Sequence, residues 1–83
     1  MPLFMDVHHS IPAGATAKDV AGAHEADLKV QDKFGVNYRS YWVDEQAGMV
    51  FCLVDAPDAE AAAACHREAH GLVADEIHLV VEG

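Results

Sequence analysis

His66 and His70 stand four residues apart in an alanine-rich stretch, a spacing that on a helix sets both imidazoles on one face within reach of one ion. Neutral imidazole is the commonest protein ligand for metals, so the pair suggests a metal site. Spacing alone describes two solvated histidines on an exposed helix equally well. The chain holds six histidines and fourteen carboxylates in 83 residues, and the question is which of them the fold brings together.

The elements that must do so follow from residue pattern. Leu3, Met5 and Val7 alternate with Phe4, Asp6 and His8, which predicts a strand with two unlike faces over residues 2–8. Pro12 and Gly14 mark a turn within 10–15. Thr16 is a candidate N-cap for a helix over 17–34, with Val20, Leu28, Val30 and Phe34 at helical intervals and Gly35 at its end. Residues 36–44 are rich in β-branched and aromatic side chains, Gln46-Ala47-Gly48 turns the chain, and 49–54 is an apolar run, together a β-hairpin. Pro57 and Asp58 break that strand and cap a second helix over 59–69, stopped by Gly71, before a last strand over 76–81. The order β-α-β-β-α-β is the split βαβ arrangement of an α+β, ferredoxin-like two-layer sandwich. It predicts a single domain over 1–83, with a four-stranded antiparallel sheet and both helices on one face.

That topology gathers candidate ligands at one rim. The end of the second helix with His70, the end of the first strand with His8 and His9, the hairpin turn with Asp44 and Glu45, and the start of the last strand with Glu76 and His78 all fall at the same edge. A second grouping is more specific, because the first and last strands are neighbours. Asp6 and His8 are expected on the face away from the helices, where His78 of the last strand joins them, and the three could hold one ion; the alternative is a polar network in which Asp6 satisfies a histidine N–H. His24 lies between Val20 and Leu28 on the apolar stripe of the first helix, as a core histidine held by Asp27, as an orienting group for a ligand, or as a metal ligand itself. Cys52 and Cys65 read as packing residues with reduced thiols, too few for a disulfide framework and not in a Cys-x-x-Cys pattern.

Composition narrows the partners. Five basic against fourteen acidic residues give a net charge of -9, which repels nucleic acid and anionic membrane surfaces and concentrates cations. The N-terminal residues lack the basic and apolar regions of a leader, and no apolar run approaches the roughly 18 residues of a membrane span, so a soluble cytoplasmic protein is expected. Met49, Phe51 and Leu53 alternate with Val50, Cys52 and Val54, so the sheet face without helices is also apolar and calls for a cover. A homodimer stacked through that face is the simplest one.

Asp6-Val7-His8, Ala23-His24 with Asp27-Leu28, Tyr41-Trp42-Val43-Asp44-Glu45, Val50-Phe51-Cys52-Leu53 and His66-Arg67-Glu68-Ala69-His70-Gly71 together resemble the small actinobacterial nickel-binding proteins with a dimeric ferredoxin-like fold. The resemblance spans nearly the whole chain and implies nickel binding by a homodimer, without saying which side chains are ligands; His9 and His78 fall outside it. Imidazole with carboxylate suits nickel, zinc, copper or cobalt, and so few thiolates exclude an iron–sulfur cluster. These residues fit two functions. A nickel buffer, store or carrier without catalysis uses the histidine and carboxylate set. A dimeric α/β-barrel enzyme of the monooxygenase or isomerase kind would instead use His24 or His66 as a base, in a pocket of roughly 300 Å³ or more.

Overall fold

Each helix begins and ends where the sequence supplies a cap. In α1 (Ala17–Phe34) the Thr16 hydroxyl accepts the Asp19 N–H while the Asp19 carboxylate accepts the Thr16 N–H at 2.8 Å, a reciprocal capping box. Gly35, at φ +67°, takes the left-handed turn that stops α1. In α2 (Ala59–Ala69) Asp58 accepts the Ala61 N–H at 2.8 Å, and Gly71 at φ +78° turns the chain away. The strands are β1 (Leu3–His8), β2 (Asn37–Asp44), β3 (Met49–Asp55) and β4 (Glu76–Val80). The structure, a computed structural model, describes residues 1–12 and 14–83, so Ala13 in the turn expected over 10–15 lies outside the described residues.

The sheet runs β2-β3-β1-β4 with every neighbouring pair antiparallel, and the two helices complete the ferredoxin-like α+β fold. Register decides which residues meet the helices. Phe4, Asp6 and His8 lie level with Val54, Cys52 and Val50 on the helix-covered face, while Leu3, Met5 and Val7 share the other face with Asp55, Leu53 and Phe51. In β2 the register shifts between Tyr38 and Ser40, an irregularity that puts both Tyr38 and Tyr41 on the helix side and Trp42 on the open side. The core is built from Val36, Tyr38, Val50, Cys52, Val54, Ala56, Ala62 and Cys65. Small side chains at Ala62 and Ala63 let α2 lie close enough for His66 to reach β1 and α1 at once.

The structure revises two expectations. Asp6 and His8 do not face away from the helices; they are buried beneath them, because His66 on α2 supplies the hydrogen-bonding partner that polar strand residues otherwise find in water. Leu28, placed on the apolar stripe of α1, is 43% exposed, and its neighbour Asp27 is the buried residue of that helix. The open sheet face carries Met5, Phe51, Leu53 and the half-exposed Trp42. Among the described residues no helix is long and apolar enough to cross a membrane.

Candidate metal centre

A fully buried imidazole sits between two carboxylates. His66 Nε2 is 2.9 Å from Asp6 Oδ2 on β1, and its Nδ1 is 2.8 Å from Asp27 Oδ1 on α1. Burial alone would favour the neutral ring, but hydrogen bonds to Asp27 and Asp6 and their charges outweigh it and lift His66 from 6.5 to about 9. The ring is therefore an imidazolium donating at both ends. Burial works against ionisation of the two carboxylates as well; the hydrogen bonds and charge of His66, with His70 at Asp27 and the nearby His8 ring at Asp6, hold both below the ordinary carboxylate range.

Around this axis the other groups are placed by their own elements. Tyr38 packs its ring 4.6 Å from that of His66 and points its hydroxyl at Asp6 Oδ2, 3.2 Å away, and at the Ala62 carbonyl, 3.1 Å away. Burial, with Asp6 and Asp27 nearby, pushes the phenol pKa up, so it stays a donor. Asp6 Oδ1 is left without a hydrogen bond in the interior; His8 Nε2 approaches it to 3.4 Å, out of line. Cys52 lies level with Asp6, and burial pushes its thiol up. Cys65 packs its sulfur 3.8 Å from the Asp27 carbonyl, with its thiol pushed up to about 12 by burial and by Asp27. Both cysteines are free and buried, and both stay protonated.

His70 closes the other end. Its Nε2 lies 3.1 Å from His66 Nδ1 and 3.2 Å from Asp27 Oδ1, while its Nδ1 accepts the Leu72 N–H at 3.1 Å. Three donor atoms, one each from Asp27, His66 and His70, thus form a triangle with edges of 2.8 to 3.2 Å. A second set, Asp6, His8, Cys52 and His66, also brings one ligand atom from each residue within 4.8 Å of the others, wholly in the interior. A pocket of about 120 Å³ between α1, α2 and the sheet reaches both sets, lined by His8, His24, Tyr41, His66 and His70 among apolar neighbours.

The rim expected from the sequence separates into two clusters on opposite sides of the sheet. His78 lies level with Met5 on the open face, so it cannot share an ion with Asp6 and His8. It bonds Glu76 Oε1 at 3.0 Å, and His9 bonds the other oxygen of the same carboxylate, which the two imidazoles hold below its ordinary range. Asp44 stands apart from both clusters, accepting the Ala47 N–H of the hairpin turn at 2.9 Å, and Glu45 accepts the Ala17 N–H at the start of α1. His24 faces Tyr41 with ring centroids 4.7 Å apart, and Asp27, expected to hold it, binds His66 and His70 instead. Asp27 is the member of the buried cluster that ligand spacing missed. Its position on the Val20, Ala23, His24, Asp27 side of α1, a carboxylate on the inward face of a helix, was the signal available.

The chain matches the family described as nickel responsive protein SCO4226-like over residues 4–80. Among solved structures it is similar to SCO4226 from Streptomyces coelicolor A3(2), with 40% identity and a TM-score of 0.88 over 98% of each chain. No curated protein matches.

Proposed function

The chain belongs to the nickel responsive, SCO4226-like family, and from that premise we propose that it binds a divalent transition metal, nickel first among them, as a buffer, store or carrier. The observation that carries this reading is the Asp27, His66 and His70 triangle, with edges of 2.8 to 3.2 Å. Ligand atoms at bond lengths of about 2.1 Å stand about 3.0 Å apart when cis around an octahedral ion and about 3.4 Å apart around a tetrahedral one. The three atoms already have that spacing, so binding asks for proton loss more than for rearrangement. Two imidazoles and a carboxylate suit nickel, zinc, copper or cobalt, and affinity order alone would favour copper over nickel.

This set is preferred over Asp6, His8, Cys52 and His66 because His70 gives it a partly exposed edge on the pocket, where water can complete the coordination. The other set needs a thiolate that burial opposes. Asp6 then acts behind the site. It accepts the Nε2 proton of His66, which leaves Nδ1 as the nitrogen offered to the ion. A net charge of -9 gathers cations around the surface.

The same reading includes a cytosolic homodimer through the open sheet face, where Met5, Phe51 and Trp42 would be covered by a second copy. Light scattering of wild type and Phe51→Glu tests it, with a dimer in the first and a monomer in the second. Turnover of an organic substrate has less support, since the pocket of about 120 Å³ falls short of the roughly 300 Å³ such a site commonly has. The test of metal binding is calorimetric titration of nickel into wild type, Asp27→Ala and His70→Ala. Loss of affinity in both variants supports the site, and unchanged affinity in either removes that residue from it.

A further inference from the structure

The pocket has a wall that the metal reading leaves unused. Between α1 and the sheet, Ile11, Val20 and Leu72 form an apolar lining beside the tilted pair of His24 and Tyr41, whose ring centroids are 4.7 Å apart. Asp6, Asp27, His66 and His70 are committed to one another, but among the described residues neither the His24 ring nor the Tyr41 hydroxyl makes a hydrogen bond within the protein. Both are half-buried on the pocket wall, so their free polar atoms border the space rather than being sealed in packing.

Size and charge narrow what would enter. The volume is about 120 Å³, less than the about 150 Å³ of an apolar cavity that encloses benzene, so a single ring is the upper limit and its edge must stand at the pocket mouth beside the exposed Leu72. Asp19 and Asp27 line the pocket of a chain with net charge -9, which disfavours an anion. An organic cation would find no uncommitted carboxylate in the interior, since Asp27 is held by two imidazoles. We propose that this pocket binds a neutral, single-ring aromatic molecule bearing one hydroxyl, its ring among Ile11, Val20 and Leu72 and its hydroxyl on His24 or Tyr41. The site needs no ion, although its inner end borders Asp27, His66 and His70.

Methyl NMR of the chelator-treated full-length chain, titrated separately with phenol, toluene and benzoate, tests it. Phenol should shift the Ile11, Val20 and Leu72 methyls saturably with a Kd of about 1 mM or tighter. Toluene should bind about threefold to tenfold more weakly for want of one hydrogen bond, and benzoate should leave the spectrum unchanged. Ala23→Leu, which fills the pocket from α1, should abolish the shifts, and His24→Phe, which keeps the ring, should narrow the preference for phenol over toluene. Because a filling variant can perturb the fold, intermolecular NOEs from phenol to Ile11 and Leu72 in wild type give the same answer without substitution. No saturable shift up to about 10 mM, equal binding of benzoate, or NOEs to the open-face Phe51 and Trp42 instead would overturn the proposal. Nickel affinity is scored in a separate titration, so a failed metal site and a failed pocket give different results.

Discussion

Raising the pH from about 6.5 to about 8.5 should weaken the fold, and His66 sets the size of the loss. The ring meets Asp6 and His8 from β1, Asp27 from α1, Tyr38 from β2 and His70 from α2, and the two carboxylates lift it from 6.5 to about 9. A group whose folded value stands above its unfolded one contributes stability that is complete below the unfolded value and gone once pH passes the folded value. The interval from 6.5 to about 9 corresponds to about 3 kcal/mol, most of it lost by about pH 8.5. Other groups act outside this window. Asp6 and Asp27, held below their usual 3.8, contribute above that value and lose their contribution only as pH falls below it. The raised Cys52, Cys65 and Tyr38 add losses only above their ordinary values of 9.0 and 10.0. Urea denaturation at fixed protein concentration, at three pH values across the window, reads the effect. Stability flat to within about 0.5 kcal/mol, or an equal loss in His66→Gln, would refute the imidazolium between two carboxylates.

Other predictions concern the ion. Asp6→Asn should weaken nickel binding by about 10- to 100-fold in calorimetry, because the carboxylate that fixes the His66 tautomer is gone while the three ligands remain. Nickel must displace the His66 proton, so affinity should rise by up to about tenfold per pH unit between about 7 and 9, with proton release seen as a buffer-dependent enthalpy. Ligation through His70 Nε2 moves the ring proton to Nδ1, where it opposes the Leu72 N–H now bonded there at 3.1 Å; the Leu72 amide should shift and exchange faster when nickel is added. His66→Ala should cost about 3 to 5 kcal/mol in urea denaturation, since Asp6 and Asp27 would be left as buried charges without their partner.

The fold was legible in the sequence because caps and periodicity are local. Thr16, Gly35, Asp58 and Gly71 stand where the helices start and stop, and the strand limits agree to within a residue. The site was legible only in part. Alternation in β1 shows that Asp6 and His8 share a face but not which face the helices cover, and the expectation that they line the open face fails. One reversal of that assignment removed His78 from their company and placed His66 in it. The register shift after Tyr38, which brings its hydroxyl to Asp6, leaves no mark in the composition of β2. That Asp27 and His24 lie on one side of α1 points to a pairing of the two, yet which imidazole Asp27 meets depends on how α2 packs across α1.

Whether Asp27, His66 and His70 hold nickel is read from anomalous diffraction at the nickel edge, from crystals grown or soaked with the metal. A peak is expected about 2.1 Å from Asp27 Oδ1, His66 Nδ1 and His70 Nε2, at the inner end of the pocket. A peak at His9, Glu76 and His78 with none among those three, or no peak at saturating nickel, would contradict it.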